Sequence, residues 1–424
     1  MSLLIVNARI LDPANGFDAE GYLGIKDGKI VSVSKTKPKE KFAETVNAKG
    51  QWLIPGLVDL AARFREPGAT HKATIASEAK AALAGGITTI ALPPDTNPPV
   101  DSPALVDRIH SKAQAAGFDV RVIGALTQGL RGEALAEMSA LKAAGCVGVS
   151  NAGFGLRDSL VGRRALDYAQ GLGLTVHVFA QNPALANGGC AHEGPVATRL
   201  GLPPIPVAAE VSAVRFWISL VEDTGATVHF GRLSTARGAW LVESAQKRNL
   251  QVTADVAAHQ LFLTDQDVNG FNPMCHVIPP LRSAQDRDGL CEAVKRGVIS
   301  AICSDHQPHE VDAKVNPFPM TEPGISAVET LLPLTLRLVN EKWLTPLQAI
   351  ARVTHAPARI LGIEAGTLAP GAKATLVLVD PDAPWILDPA QLRSQGRNTP
   401  FAGQHMRGRA ERVWIGGHEV FKAD

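Results

Sequence analysis

Residues 52–60 read WLIPGLVDL, residues 86–93 read GITTIALP, and residues 119–127 read DVRVIGALT. Each run is short and mostly apolar, and the segments between such runs space their apolar residues as helices do. Five similar runs follow at 146–150, 174–180, 226–234, 250–257 and 298–305, which makes eight in all. Eight apolar strands that alternate with helices predict an α/β fold, a (β/α)8 TIM-like barrel over residues 53–363. An open doubly wound sheet is the alternative, but no glycine-rich phosphate loop follows the first strand.

The two ends of the chain have a different pattern. The N-terminal end reads LLIVNARIL and GYLGIKDGKIVSVS, and the C-terminal end reads ATLVLVDPDAPWIL and AERVWIGGHEVFKAD. Short apolar runs joined by turns that contain glycine or aspartate are typical of β-strands in hairpins. We therefore predict that residues 1–52 and 364–424 form one small β-sandwich domain, built from both termini.

The composition excludes several classes of protein. Of the 424 residues, 45% are hydrophobic and the formal net charge is +1, so neither a nucleic acid nor an anionic membrane surface is indicated as a partner. The five cysteines are odd in number and scattered, which indicates reduced thiols in a cytoplasmic protein. The sequence shows no signal peptide and no apolar run long enough to span a membrane.

In barrels of this kind, chemistry occurs where the strands end at their carboxyl side. In this chain those ends read DLAARFR at 59–65, PPDTN at 93–97, SNAG at 150–153, FAQN at 179–182, GRLST at 231–235 and SDHQPH at 304–309. These segments hold the candidate site residues, and the twelve histidines matter to a metal site only where they fall in them.

Several longer motifs recur in the order and spacing of one known family. They are PGLVDL at 55–60, REPG at 65–68, DTNPPVD at 95–101, HEGPVATRLGLPPIP at 192–206, LSTARG at 233–238, PPLRS at 279–283 and SDHQPH at 304–309. Together they resemble dihydroorotase of the amidohydrolase superfamily, and the resemblance runs almost from end to end. It implies a (β/α)8 barrel beside a small β domain formed by both termini, which agrees with the pattern of strands.

The resemblance also implies where the family binds its metal. Its ligands are two histidines after strand 1, a carboxylate or carboxylated lysine after strand 4, histidines after strands 5 and 6, and an aspartate after strand 8. Of these, this chain keeps the last one, as Asp305, which we interpret as vestigial. The lost metal-ligand positions hold Ala61, Arg63, Asn151, Phe179 and Arg232.

These replacements remove the chemistry that binds zinc. Methyl and phenyl groups cannot ligate a metal, a guanidinium has no lone pair, and an amide oxygen is a poor zinc ligand. A single aspartate cannot form a three- or four-ligand site. We therefore expect no metal and no other cofactor. The alternative is a relocated metal site, for which His177 and His229 are the nearest histidines on strands.

The two arginines at lost positions suggest a replacement for the missing metal charge. Without a metal, Asp305 is a buried charge that needs a partner. We hypothesise that Arg63, Arg232 or both pair with Asp305. The alternative is that both arginines are solvated residues on the rim of the barrel.

The end of the pocket that binds substrate carboxylate in the family has counterparts here. The resemblance assigns these to Arg65, Asn97 and His309, so an anion pocket can persist. Two neighbouring positions depart from the family pattern, since Ile278 stands where an asparagine usually precedes PPLRS, and residues 258–260 read AHQ. The alternative is that the three residues now serve turns and core polar networks.

We predict from these features that the chain is not an enzyme. The resemblance extends to dihydroorotase-like chains that lack the metal site, and it implies a non-catalytic structural or assembly subunit of aspartate carbamoyltransferase in pyrimidine biosynthesis. The expected partners are the catalytic chain of that enzyme and, as a homodimer, a second copy of this chain. The proline-containing segment 311–324 is typical of a mobile or partner-facing loop. Two alternatives remain open: an active cyclic amidohydrolase of the dihydroorotase or hydantoinase type with a relocated metal, and a sensor of pyrimidine precursors.

Overall fold

A computed structural model describes residues 2–423 of the chain. The strands are β1 (Ser2–Asp12), β2 (Phe17–Lys26), β3 (Lys29–Ser34), β4 (Glu44–Asn47), β5 (Trp52–Pro55), β6 (Leu57–Asp59), β7 (Ile87–Leu92), β8 (Asp119–Ala125), β9 (Gly148–Ser150), β10 (Thr175–Phe179), β11 (Ala191–His192), β12 (Pro204–Ile205), β13 (Val228–Gly231), β14 (Val252–Ala257), β15 (Ala301–Cys303), β16 (Leu376–Ile386), β17 (His405–Ile415) and β18 (His418–Lys422).

Twelve α-helices lie between these strands in the described part of the chain. They are α1 (Ile75–Ala84), α2 (Pro103–Ala115), α3 (Met138–Ala143), α4 (Ser159–Gly171), α5 (Pro183–Ala186), α6 (Pro195–Leu200), α7 (Val207–Thr224), α8 (Ala236–Gln246), α9 (Ala284–Arg296), α10 (Leu331–Asn340), α11 (Pro346–Val353) and α12 (His355–Leu361). Several begin at a side-chain cap: the hydroxyl of Thr74 accepts a hydrogen bond from the backbone of Ser77 at the start of α1.

Eight parallel strands form the barrel, in the order β6, β7, β8, β9, β10, β13, β14, β15. The first and last strands meet just past their carboxyl ends. There the backbone N–H of Arg63 donates to His306 O over 2.9 Å, and the N–H of His306 donates to Ala61 O over 3.2 Å. The prediction of a (β/α)8 barrel is therefore confirmed, and the strand ends converge on one mouth.

The terminal strands form a second sheet of eight strands. β18, β17, β16, β5, β1, β2 and β3 pair in that order, and β4 pairs with β1. This sheet encloses its own core, which includes Ile5, Ile10, Leu23 and Trp414. A sheet domain built from both termini is thus confirmed, while the boundaries at residues 52/53 and 363/364 stay predictions.

The sequence pattern predicted that the segment WLIPGLVDL forms one barrel strand, and this prediction is wrong. The segment divides at Gly56: β5 pairs with β1 and β16 in the terminal sheet, and β6 pairs with β7 in the barrel. All residues from 52 to 60 are buried, so hydrophobicity alone could not reveal the division. The chain passes from one sheet to the other through this glycine.

The structure also describes the five cysteines and the length and apolar character of the helices. All five cysteines are free and buried, and burial raises the thiol pKa of Cys146, Cys275 and Cys291 to about 12. Such thiols are poor nucleophiles and poor metal ligands near neutral pH. Within residues 2–423, no helix has both the length and the apolar character needed to cross a bilayer.

Candidate functional site

The carboxylate of Asp305 lies at the centre of the barrel mouth. Its Oδ1 accepts hydrogen bonds from Nη1 of Arg63 and Nη1 of Arg232, each over 3.1 Å, and its Oδ2 accepts one from Nε2 of Gln307 over 3.2 Å. Asp305 is 1% exposed, and the two arginines are 8% and 9% exposed. The hypothesis that both arginines pair with Asp305 is confirmed, and the alternative of solvated rim arginines is wrong.

A second carboxylate completes this network. Nε of Arg63 donates to Oδ2 of Asp95 over 2.8 Å. Burial alone lowers the pKa of Arg63, but Asp95 and Asp305 outweigh it and hold the pKa above its usual value. Burial likewise raises the pKa of Asp95, and the charge and hydrogen bond of Arg63 more than reverse this, so both groups are charged. We call Arg63, Asp95, Arg232 and Asp305 the ion-pair network.

The strand ends hold part of this network in an unusual backbone conformation. Arg232 and Asp305 have φ angles of 59° and 47°, and Arg65 nearby has a φ angle of 59°. Non-glycine residues seldom adopt this left-handed conformation, and where they do, the surrounding contacts maintain it. The ion pairs are contacts of this kind, because they join side chains that follow four separate strands, β6, β7, β13 and β15.

The other positions that the resemblance assigns to metal ligands hold side chains with structural contacts. The guanidinium carbon of Arg232 lies 4.5 Å from the ring centroid of Phe179, a cation–π contact. Asn151 accepts a hydrogen bond from the hydroxyl of Thr127 over 2.6 Å, and its amide nitrogen donates to the carbonyls of Phe154 and Gly155. Asn151 thus holds the loop that follows β9. Ala61 is 7% exposed and packs among interior side chains of the barrel.

The side chains at these positions do not fit zinc. They offer one carboxylate, already bonded to two guanidinium groups, and no imidazole or thiolate. Within residues 2–423, no three histidine, cysteine or acidic side chains are grouped as a metal site requires. These side chains therefore do not support a metal-dependent reaction step at the position that the family resemblance indicates.

The two histidines considered for a relocated site lie deeper in the barrel. Their rings are 5.3 Å apart between centroids. Nε2 of His229 lies 2.9 Å from Oδ2 of Asp255 and its Nδ1 lies 2.8 Å from the hydroxyl of Thr253, so both ring nitrogens are engaged. Burial lowers the pKa of His177 to about 3, and its Nε2 has no hydrogen-bond partner within the described residues.

The three residues assigned to an anion pocket lie at one side of the mouth. Nη2 of Arg65 is 2.9 Å from Nε2 of His309, and Nε of Arg65 donates to the carbonyl of Pro308. Asn97 is exposed and lines a small cavity of about 70 Å³ together with Arg65 and Arg63. The structure therefore brings the three residues together, while ligand binding by them stays a prediction.

Sequence reasoning missed three charged residues beside His309. Nζ of Lys72 is 3.1 Å from Nδ1 of His309 and 2.5 Å from the carboxylate of Glu322. Lys314 donates to the backbone carbonyls of Pro273 and Glu322. Burial, followed by the charges of Arg65 and Lys72, lowers the pKa of His309 to about 2, so the ring is neutral.

The loop of residues 311–324 supplies the acidic partner of these cations. Burial lowers the pKa of Lys314 to about 8, although the negative charge of Glu322 acts to raise it. Burial also lowers the pKa of Arg65, to about 10.

The sequence analysis also missed Asp95, although this residue lies in one of the strand-end segments that it singled out. Its partner comes from another strand end, and no spacing within the sequence shows that pairing.

Two family models match the chain in overlapping halves. Residues 50–237 match the model described as Dihydro-orotase-like, and residues 203–420 match the Amidohydrolase family. The chain belongs to the dihydroorotase-like family of amidohydrolases. The motifs quoted from the sequence are therefore family motifs, and the resemblance drawn from them is confirmed at that level.

Curated relatives match over the full length. A "Dihydroorotase-like protein" of Pseudomonas aeruginosa is 45% identical over 419 residues, covering 99% of each chain. A "Dihydroorotase" of Anaeromyxobacter dehalogenans is 41% identical over 428 residues, covering 100% of this chain and 99% of the relative. Among solved structures, the L-hydantoinase (dihydropyrimidinase) of Arthrobacter aurescens superposes with a TM-score of 0.89 at 24% identity, covering 99% of this chain and 96% of that one. This last likeness shows the fold.

These comparisons contradict the prediction that the chain is not an enzyme. Relatives that are 40–41% identical and match it from end to end are named dihydroorotase, which indicates an enzymatic amidohydrolase. The prediction treated loss of zinc ligands as loss of catalysis. That step was too strong, because buried guanidinium groups can also stabilise the negative charge that develops on an amide oxygen. The replaced positions bear on zinc binding and not on activity as a whole.

Proposed function

We propose that this chain works in pyrimidine biosynthesis as a subunit that assembles with the catalytic chain of aspartate carbamoyltransferase. The observation that carries the proposal is the ion-pair network, which occupies three of the positions that the resemblance assigns to metal ligands, Arg63, Arg232 and Asp305, inside a complete barrel. A barrel rebuilt in this way keeps its surface and its rigidity, and these are the properties that an assembly subunit needs. The partner is taken from the family resemblance, and a homodimer of the chain is part of the same proposal.

The exposed side chains of the loop of residues 311–324 support an assembly role. Val311, Val315 and Met320 are 72%, 69% and 70% exposed, although they lie within ten residues of one another. Buried contacts hold the inner side of the same segment, since Phe318 is 2% exposed and packs near His276. Clustered apolar side chains exposed on an anchored segment are typical of a protein contact. We therefore place the partner surface at Val311, Val315 and Met320.

The test is co-purification with the carbamoyltransferase chain from the same source. Size-exclusion chromatography with light scattering should show one complex of defined mass, and Val315→Lys should weaken it by about tenfold or more. Val420→Lys, an equally simple change at a 40% exposed valine on β18, is the matched control and should leave the complex intact. Separate elution of the two wild-type chains at micromolar concentrations would contradict the proposal.

A second candidate is hydrolysis of a cyclic amide by this chain itself, and the observation that favours it is the name dihydroorotase carried by relatives of full length. The candidate is tested by measuring dihydroorotate turnover and bound metal on the same purified sample, with and without added zinc. Turnover that disappears in Arg232→Gln would place the chemistry at the barrel mouth. An absence of turnover in both the isolated chain and the reconstituted complex would remove this candidate and leave the assembly proposal standing.

A further inference from the structure

A cleft lies between α12 and the short antiparallel bridge that pairs β3 with the residues just before β16, and we call it the basic cleft. Its volume is about 600 Å³, and Lys29, His355, Arg359 and Lys373 are among the residues that line it. We propose that the basic cleft binds a small ligand with two adjacent phosphate groups. None of its lining residues belongs to the ion-pair network or to the pocket at Arg65, so the site is separate from both.

Two of these basic residues, Lys29 and Lys373, face each other across the bridge. The residues on either side of the bridge are hydrogen-bonded through their backbones, Ile30 N–H to Ala372 O over 2.9 Å and Ala374 N–H to Gly28 O over 2.8 Å. The two lysines therefore form a non-hydrogen-bonded pair, the type in which opposite side chains lie closest and on the same face of the sheet. Like charges placed directly opposite in this way are destabilising.

No acidic side chain compensates the two lysines. Within residues 2–423, neither lysine forms an ion pair, and the same is true of Arg359. The position of Arg359 has a local explanation, since it lies in the last turn of α12, where a positive charge is favourable. The lysine pair has no such explanation in the fold, because a neutral residue in place of either lysine would remove a repulsion. A bound anion would supply the missing counter-charge.

The charges that line the basic cleft favour an anion with more than one negative charge. Lys29, Arg359 and Lys373 are the three permanent cations among the described lining residues, and Glu364 is the one carboxylate, which leaves a net charge of +2. Burial, followed by the charge of Arg359, lowers the pKa of His355, so its ring is neutral near pH 7 and can donate or accept a hydrogen bond.

The donors and the size of the basic cleft suit linked phosphate groups. A guanidinium binds two oxygens of one phosphate, while lysines act as compact point charges. Arg359 lies on α12 and the lysine pair lies on the bridge, so two linked phosphates offer one anionic group to each. Other parts of the wall are apolar, among them Ala14 and Ile363. Sites for small molecules measure roughly 300–1,000 Å³, so the cleft also has room for an organic group attached to the phosphates.

The proposal is tested by calorimetry on the full chain, with inorganic pyrophosphate and ADP as probes and adenosine as the uncharged comparison. We expect saturable binding of the two diphosphates, tighter than that of orthophosphate, and none of adenosine. Lys373→Gln should weaken binding by about tenfold or more, because a charge-assisted contact is lost, and Lys373→Arg should keep most of it. Lys80→Gln removes the same charge from an exposed position on α1 and is the matched control, with no expected change.

The melting temperature gives a second readout. Without a ligand, Lys373→Gln should melt at the temperature of the wild type or above it, because the substitution removes a repulsion between like charges. Pyrophosphate should raise the melting temperature of the wild type, since a ligand that binds the folded state stabilises it. The same addition should leave the variant that combines Lys29→Gln with Lys373→Gln unchanged.

Four results would overturn the proposal. The first is an absence of saturable binding of both diphosphates at millimolar concentration. The second is equal affinity for orthophosphate and pyrophosphate, and the third is an equal loss of binding in Lys80→Gln and Lys373→Gln, since non-specific attraction to a charged surface would explain either. The fourth is loss of binding in Arg65→Gln with no loss in Lys373→Gln, which would place the ligand at the barrel mouth.

Discussion

Asp305 is a single buried carboxylate that is shared by two guanidinium groups at the barrel mouth. It accepts hydrogen bonds from Arg63 and Arg232 and is almost fully buried. We predict that Asp305→Asn destabilises the fold by about 3 kcal/mol, because two buried guanidinium groups lose a shared counter-charge. Chemical denaturation measures this. Asp18→Asn breaks an exposed pair with Arg9 and serves as the control, with an expected loss of about 1 kcal/mol or less. Equal losses in the two variants would show that the network adds no stability.

Asp59 provides a prediction about pH at the same scale. Burial raises its pKa to about 7, against the opposing hydrogen bonds from Ser304 and Ala61. In the unfolded chain an aspartate titrates near pH 4, so between about pH 4 and 7 the folded state holds the extra proton. The free energy of unfolding should therefore fall as pH rises through this window and become flat above it.

The variant Asp59→Asn isolates this effect. Its stability relative to the wild type should increase by roughly 2–4 kcal/mol between pH 4 and pH 8, since each unit of pKa shift is worth about 1.4 kcal/mol. Urea denaturation at several pH values measures the difference. Parallel stability curves for the two proteins would mean that folding does not shift the pKa of Asp59.

At the scale of elements, Gly56 joins the terminal sheet to the barrel. A Cβ atom at this position would collide with the side chain of Thr88 and lie 2.9 Å from Cγ2 of Thr375. We predict that Gly56→Ala costs about 2 kcal/mol or more, because Thr88 belongs to β7 and Thr375 directly precedes β16, so neither can move freely. Gly171→Ala at the end of α4 is the control, since nothing lies within 4 Å of the new methyl group. A thermal melt in which both variants match the wild type would contradict this account of the junction.

The loop of residues 311–324 is an element whose composition indicated mobility, and the structure gives it both fixed and exposed parts. Glu322 pairs with Lys72 and Lys314 donates to the carbonyl of Pro273, whereas Val311, Val315 and Met320 are exposed. Composition reports the proline and glycine content of such a loop but not which of its side chains find partners. The assignment of the loop to a partner contact therefore depends on the experiment with Val315→Lys.

At the scale of the whole molecule, the loss of zinc-binding side chains predicts how the protein responds to chelation. The family's metal positions offer one carboxylate that two arginines already occupy. We predict that dialysis against EDTA leaves the melting temperature unchanged within about 1 °C, and that zinc is bound well below one equivalent. Mass spectrometry of metals and calorimetry measure both. Stoichiometric zinc and a melting temperature that falls by several degrees on its removal would indicate a relocated site.

Much of the architecture could be predicted from periodicity alone. Eight apolar runs separated by helical spacing determine the barrel, because strands buried on both faces must be apolar throughout. The same pattern failed at residues 52–60, where two consecutive buried strands of different sheets look like one. Apolar character records burial, and it does not record which sheet a strand joins.

Some residues of the candidate site could likewise be predicted from the sequence, and others could not. Spacing and family motifs placed Arg63, Arg232 and Asp305 at strand ends, and elementary electrostatics predicted their pairing. Nothing in the spacing showed that Asp95, Lys72 and Glu322 complete the charged groups, since each meets its partner across a large separation in sequence. The sequence also did not show whether the chain is active. The absence of zinc-binding side chains bears on zinc-dependent hydrolysis, and it does not bear on other mechanisms that charged side chains at the barrel mouth allow.

The sequence by itself determined the barrel, the terminal sheet, the family and the absence of zinc-binding side chains at the family's metal positions. All of these depend on residue type and local order, which a sequence records directly. Only the tertiary structure decided that the two arginines share one carboxylate and that Asn151 and Phe179 make structural contacts. These features arise between strand ends that are distant in sequence, and their distances are fixed only when the barrel closes.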